Sequence, residues 1–183
     1  MASTLDGLTP GTWTVDPTHS EVGFVVRHLM VSKVKGRFGG VSGTITVADN
    51  VLDSVVEATA DVATIDTRDE NRDGHLKSAD FFEAEKFPTI TFRSTGIREK
   101  GSDYLLDGEL TIKGTSQQVT FDLEYNGAAV NPMTQGQTAG FSASTEVNRK
   151  DFGLEWNVAL ESGGVLVGDK VKIGLEIEAA KAA

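Results

Sequence analysis

Residues 104 to 125 read YLLDGELTIKGTSQQVTFDLEY, and they contain two runs in which apolar and polar residues alternate. Leu106, Leu110 and Ile112 recur at even spacing before Gly114, and Phe121 and Leu123 do so after it. A period of two is typical of a strand that buries one face and exposes the other. Because Gly114 supplies a turn between the runs, the stretch predicts an antiparallel β-hairpin.

The same alternation extends outward from this hairpin along most of the chain. The predicted inward-facing residues of the other strands include Val22, Phe24, Val26 and His28, then Val34, Gly36 and Phe38, then Val56, Ala58 and Ala60, then Ile90 and Phe92, then Ala139, Phe141 and Ala143. Strands with one polar face are typical of antiparallel sheets. About eight of them predict an all-β fold, an extended eight-stranded antiparallel barrel, with a β-sandwich as the alternative.

Two further features of the sequence predict a bulge in the barrel and a cavity inside it. The phase of the alternation changes at Gly39 and Gly40, which predicts a β-bulge there. An eight-stranded barrel is either filled by its own side chains or holds one small ligand. Small inward residues favour an internal cavity, and they are Gly36, Gly43, Ala58, Ala60, Gly108, Ala139 and Ala143.

Residues 72 to 93, RDGHLKSADFFEAEKFPTITFR, interrupt the pattern. Ser78 is a suitable helix N-cap, Asp80 would lie in the first turn, and Pro88 would stop the helix. Three aromatic rings in seven residues, Phe81, Phe82 and Phe87, need an apolar surface to cover. The segment therefore predicts a short helical lid over the mouth of the barrel.

The chain organisation is simple. Its 183 residues predict a loose leader at 1 to 11, one barrel domain at 12 to 178 and a tail at 179 to 183. The sequence shows neither a signal-peptide pattern nor an apolar run of about 18 residues, so we expect a cytoplasmic protein without stable membrane insertion. A net charge of −10 argues against nucleic acid or an anionic membrane surface as partner.

No residue pattern indicates catalysis or a metal site. The chain has no cysteine, and His19, His28 and His75 lack the spacing of metal ligands. His28 continues an apolar face, where it is a buried histidine bonded to backbone, a polar group that orients a ligand, or a haem ligand. Arg149 and Lys150 form either a solvated turn or a site for a phosphate or carboxylate head group.

Five motifs in the right order resemble the YceI-like family from about Trp13 to Glu178. They are WTVDPTHS at 13 to 20 with GRF at 36 to 38, HLKSADFF at 75 to 82, FPTITF at 87 to 92, GELTIKG at 108 to 114, and RKDFG at 149 to 153. The resemblance implies a lipocalin-like barrel that takes a polyisoprenoid, an isoprenoid quinone or a fatty-acid-like lipid into its bore. It also implies a homodimer.

We therefore expect a non-catalytic lipid-binding protein that needs no cofactor other than the bound lipid. The alternatives are an enzyme acting on such a lipid through His28, and a structural or haem-binding barrel. The predicted ligand-binding residues are Phe24, Val26, His28, Phe38, Phe81, Phe82, Phe92, Leu106, Leu110, Phe121, Phe141, Arg149 and Phe152.

Overall fold

The computed structural model describes residues 2 to 182. The elements in chain order are β1 (Gly11–Val15), β2 (Glu21–His28), β3 (Ser32–Phe38), β4 (Val41–Val47), β5 (Val55–Asp61), β6 (Ile65–Asp66), α1 (Glu70–Lys77), β7 (Thr89–Lys100), β8 (Asp103–Ile112), β9 (Thr115–Val130), β10 (Gln137–Asn148) and β11 (Val167–Lys181). Short 3-10 turns lie at Val51–Asp53, Val62–Thr64 and Arg149–Phe152. Within residues 2 to 182 no helix has the length and apolar character needed to span a membrane.

The strands close into an antiparallel barrel. Three of its eight strand positions are each occupied by two consecutive strands. β1 and β2 share one position, because both pair with β11. β4 and β3 share the next position, because β4 pairs with β1 and β3 pairs with β2. β5 and β6 share the third position, because β5 pairs with β4 and β6 pairs with β3. The ladder continues through β7, β8, β9 and β10 to β11. This confirms the predicted eight-stranded barrel over the sandwich.

The hairpin of β8 and β9 has the register that the alternation predicts. Leu106 lies opposite Phe121, and the turn is made by Lys113 and Gly114, whose φ angles are 51° and 75°. Two consecutive left-handed residues match the right-handed twist of the flanking strands, and the glycine adopts this conformation at little cost.

The phase change at Gly39 and Gly40 has a different structural origin from the predicted bulge. The chain keeps the same strand position in the barrel there, but β3 pairs with β2 and β6 whereas β4 pairs with β1 and β5. The Gly40 N–H donates to Thr64 Oγ1 at 3.0 Å, and its carbonyl accepts from the Asp61 N–H at 2.8 Å. The two glycines therefore lie at the break between β3 and β4, which share one strand position.

One end of the barrel, the leader end, is closed by residues 2 to 10. Leu8 is buried in the same cluster as Trp13 and Val51, and the Tyr125 hydroxyl donates to the Asp6 carbonyl at 2.6 Å. The predicted loose leader is therefore packed. The predicted tail is ordered as well, because β11 continues to Lys181 and Ala179 is completely buried.

The other end, the lid end, is closed by α1 and by residues 78 to 87. The helix begins after Asp69, whose carboxylate accepts from the Arg72 N–H at 3.0 Å, and it ends at Ser78. The prediction that Ser78 starts the helix was wrong, since its hydroxyl donates back to the His75 carbonyl at 2.6 Å. The lid is thus a short helix followed by turns that carry the aromatic rings.

Candidate functional site

An apolar cavity of about 260 Å³ runs inside the barrel. Val171 and Ile177 both line it and are six residues apart on β11, which corresponds to a length of about 20 Å. The cavity begins at Leu5 and Leu8 under the leader and reaches Leu76 and Leu154 under the lid. The site is therefore long and narrow, and apolar side chains form nearly all of its wall.

Most of the residues predicted to bind a ligand line this cavity. Those that do are Phe24, Val26, Phe38, Phe81, Phe82, Phe92, Leu106, Leu110, Phe121, Phe141, Arg149 and Phe152. They come from six strands, the lid and the Arg149–Phe152 turn. Eight of them lie on strands, where every second residue of a barrel strand points inward.

His28 is the exception. It is the last residue of β2, pairs with Ser32 and Val167, and is absent from the cavity wall that Val26 and Val167 help to form. The predicted roles of His28 as a base, a haem ligand or a ligand-orienting group each require it to face the bore. The structure instead places it at the rim of the lid end.

The inward glycines do not create the space that the sequence suggests. A side chain at Gly36 would overlap the ring of Phe24, and one at Gly108 would overlap the ring of Phe92. Rings from neighbouring strands therefore occupy the space beside these two glycines. Of the predicted small inward residues, Ala58, Ala60 and Ala143 do line the cavity.

The three lid rings have different positions. Phe81 is buried against Phe152 and Leu154, and its ring centroid lies 5.4 Å from that of Trp156. Phe82 is half-buried, meets the ring of Phe38 edge-on at 5.8 Å, and faces the cavity. Phe87 lies outside the cavity, against Gly114 of the β8–β9 turn. Phe81 thus anchors the lid, and Phe82 is its ring over the bore.

Arg149 is the charged residue of the cavity wall, and only 5 % of it is exposed. Its guanidinium donates to the carbonyls of Gly168 at 2.9 Å, Leu154 at 2.7 Å and Trp156 at 3.0 Å. Burial lowers the pKa of this side chain, while Asp169, 3.8 Å away, opposes that effect. The main task of Arg149 is therefore to hold the loop between β10 and β11.

Several lining residues escaped the sequence prediction. Leu5 and Leu8 lie in the segment taken as a leader, Leu76 is on α1, and Leu154 lies at the start of the loop before β11. The signal that could have found the first pair is their closeness in sequence to Trp13, which Leu8 and Leu5 precede by five and eight residues. Apolar residues close to a buried aromatic rarely belong to a solvated tail.

A polar cluster lies on the outer wall, at the break between β1 and β2. His19 Nδ1 is 2.8 Å from an Asp16 carboxylate oxygen and 3.9 Å from one of Glu178. The hydrogen bond with His19, followed by those from Thr18, lowers the pKa of Asp16 to about 2. The same contact with Asp16, followed by the charge of Glu178, raises the pKa of His19.

Comparison with known proteins gives consistent relatives. The model of the YceI-like domain matches residues 13 to 179. A UPF0312 protein of Staphylococcus aureus (strain N315) is 41 % identical over 169 residues, which cover 91 % of this chain and 95 % of the relative.

Two solved structures are also similar. BcnA of Burkholderia cenocepacia has a TM-score of 0.76 at 24 % identity, with 90 % of this chain and 98 % of that chain covered. A polyisoprenoid binding domain from Saccharophagus degradans has a TM-score of 0.72 at 16 % identity, with 93 % and 98 % covered. At these identities the two structures show a shared fold. The family match over nearly the whole barrel, together with the close sequence relative, shows that this chain belongs to the YceI-like domain family.

Proposed function

We propose that this protein is a non-catalytic carrier that holds one long-chain amphiphilic lipid, such as a polyisoprenoid, an isoprenoid quinone or a fatty acid, in the bore of the barrel. The observation that carries the proposal is the apolar cavity that extends from Leu8 to Leu154. Its shape suits a single flexible chain better than a compact molecule. The Saccharophagus domain, named for polyisoprenoid binding, supports the same class of ligand.

The apolar wall supplies the affinity. Burial of apolar surface contributes about 25 cal/mol per Å², so about 300 Å² of ligand chain contributes about 7.5 kcal/mol before the costs of association. The cavity wall exposes few polar groups that would have to lose water to admit such a chain. Affinity therefore depends on chain length more than on any single contact.

The polar head of the lipid belongs at the lid end. The leader end is filled by Leu5, Leu8 and Trp13, which offer no space for a hydrated group. At the lid end, Arg149 and Lys150 lie beside the bore and its rim. Most Arg149 donors already bind carbonyls, so its contribution to a head group is its charge.

Native mass spectrometry of gently purified protein tests the proposal. We expect an added mass that corresponds to one lipid and that exchanges when a prenyl phosphate or a quinone is supplied. Ala143→Trp is the matched variant, because residue 143 lines the cavity and a large ring there would fill it. The variant should fold and carry no lipid. Wild-type protein that never carries or takes up lipid would contradict the proposal.

The same spectra address two further proposals. A lipid that keeps its mass during prolonged incubation supports a non-catalytic role, whereas a product of altered mass would indicate an enzyme. A homodimer, which the family resemblance implies, would give twice the 19.5 kDa mass of the chain. A purely monomeric spectrum at micromolar protein would contradict the dimer.

A further inference from the structure

The turn between β2 and β3 presents three consecutive apolar side chains to solvent. Leu29, Met30 and Val31 are 41, 49 and 83 % exposed. Leu29 and Met30 have φ angles of 53° and 64°, a region that residues with side chains rarely adopt. Turns of this kind favour glycine or asparagine, so an apolar sequence here is not explained by the turn itself.

Cations flank this tip on both strands. Arg27 precedes it, Lys33 and Lys35 follow it, and no acidic residue occurs between positions 27 and 35. In the register of β2 and β3, Arg27 lies opposite Lys33 and Lys35 lies opposite Val25. Among residues 2 to 182, these three cations form no ion pair within 4.0 Å. Like charges placed side by side repel each other, and an external anion would offset that repulsion.

This local charge contrasts with the rest of the molecule, whose net charge is −10. The acids nearest on adjoining elements are partly engaged elsewhere, since Asp169 lies 3.5 Å from Lys150 and Glu146 lies 4.0 Å from Lys170. Glu155 and Glu161 are on the exposed loop before β11. The tip is therefore locally positive and can approach an anionic surface despite the net charge of −10.

The tip also belongs to the lid end. Val26, two residues before His28 on β2, and Val167, which pairs with His28, line the cavity just below the tip. β3 pairs with β6 only at Arg37 and Phe38, so the part of β3 nearest the tip has no strand on that edge within the described chain. A surface that received the tip would therefore lie next to the mouth of the cavity.

We infer that Leu29, Met30 and Val31, with Arg27, Lys33 and Lys35 around them, dock the lid end of the barrel on an anionic lipid surface. The apolar tip enters the interface and the cations bind the head groups, an arrangement that adds apolar burial to electrostatic attraction. The inference rests on the proposed function for its purpose, because docking brings the mouth of the cavity to a source of lipid. The docking itself is measurable without any cargo.

The opposite end offers a matched apolar control. Met133 is 90 % exposed in the loop between β9 and β10, near the exposed Val130. Residues 126 to 137 contain no charged side chain. This loop therefore has the exposed apolar residues of the tip without its cations, and it lies at the leader end.

Sedimentation with vesicles tests the inference. Wild-type protein should bind vesicles made of equal parts phosphatidylcholine and phosphatidylglycerol, and should bind less to pure phosphatidylcholine and at high salt. Each cation near an anionic surface changes partitioning about five-fold, so Arg27→Gln, Lys33→Gln and Lys35→Gln together should lower it roughly a hundred-fold. Leu29→Ser with Met30→Ser should weaken binding as well.

Two controls isolate the tip. Val130→Ser with Met133→Ser should leave vesicle binding unchanged. Arg93→Gln, Arg98→Gln and Lys100→Gln together remove three positive charges, from −10 to −13, on a different wall and should change binding little. Melting temperatures check that every variant is folded. If the Arg27, Lys33 and Lys35 variant bound like the wild type, the inference would be overturned.

The outcomes separate docking from cargo binding. Wild-type protein that carries lipid but ignores anionic vesicles would overturn the docking inference alone, and Lys33 and Lys35 would then serve to protect the open edge of β3 from pairing. Protein that sediments with anionic vesicles but never carries lipid would instead contradict the proposed function and leave docking in place.

Discussion

The two ends of the barrel are closed in different ways. At the leader end Trp13 is completely buried, its indole N–H donates to the Thr9 carbonyl at 2.9 Å, and it belongs to one apolar cluster with Leu8 and Val51. At the lid end the cover is α1, which has no fully buried residue, followed by turns. The leader end is therefore part of the apolar core, whereas the helix of the lid end covers the core without being fully buried in it.

The difference indicates where a ligand passes. Opening the leader end would remove Leu8 from the buried cluster of Trp13 and Val51 and break the hydrogen bond from the Tyr125 hydroxyl to the Asp6 carbonyl. Opening the lid end would move a short helix and its turns while the strands stay paired. Because segments with fewer buried contacts open at lower free energy, the lid end is the expected route.

Trp13→Ala should have the largest effect of any single change. The ring fills the centre of the leader-end cluster, and its removal should cost about 3–5 kcal/mol of unfolding free energy. Chemical denaturation measures this value. Trp156→Ala, which removes a half-buried ring at the lid end, is the matched control and should cost clearly less. Equal losses would remove the distinction between the two ends.

Arg149→Met should have the next largest effect. The change deletes donors that hold the carbonyls of Leu154, Trp156 and Gly168, and we expect a loss of roughly 2–4 kcal/mol. Hydrogen exchange should show the loss of protection first in residues 153 to 168. Lys150→Met removes a neighbouring, exposed charge and should leave both measurements nearly unchanged. Uniform loss of protection across the barrel would contradict a local role for Arg149.

The strands could be predicted because their signal is local. Apolar and polar residues alternate within each strand, so each strand can be recognised from its own residues. The barrel and most of the cavity wall, from Phe24 to Phe141, could therefore be predicted from the sequence. The ends could not be predicted in this way. The packing of Leu8 depends on strands far along the chain, and a leucine in an irregular segment carries no period.

The lid shows how a correct rule can be applied to the wrong residue. Ser78 and Asp69 both suit an N-cap, and the structure uses Asp69 as the N-cap and Ser78 as the C-cap. Similarly, Gly36 indicated empty space, whereas the ring of Phe24 on the neighbouring strand occupies it. The second error comes from a contact with a neighbouring strand, which the spacing of one segment cannot report. The first comes from two local residues, Asp69 and Ser78, that suit a cap equally well by type.

Phe82→Ala should affect ligand release more than folding. The ring faces the cavity and is only half-buried, so we expect a loss of about 1–2 kcal/mol of stability. The off-rate of a fluorescent fatty acid should rise roughly ten-fold, which corresponds to about 1.4 kcal/mol. Phe87→Ala removes a lid ring outside the cavity and should leave the off-rate unchanged. Loss of folding without faster release would assign Phe82 to the core.

The smallest expected effect concerns the polar cluster of Asp16, His19 and Glu178, which fastens the break between β1 and β2 to β11. The pKa of Asp16 is lowered to about 2, so its contribution to stability is present above its ordinary pKa of 3.8 and is lost as pH falls toward 2. The pKa of His19 is raised, so its contribution is present below 6.5 and is lost as pH rises through the raised value.

The two contributions overlap between about pH 4 and pH 6.5, where Asp16 is ionised and His19 is protonated. His19→Gln should therefore lower the melting temperature slightly in that window and have less effect at pH 9. His28→Gln is the matched control, because His28 lies at the lid end and has no carboxylate within 4.0 Å in the described chain. Since His19 is exposed, the change should leave lipid release at the lid end unaffected. An equal loss at pH 5 and pH 9 would show that His19 acts through packing and not through its charge.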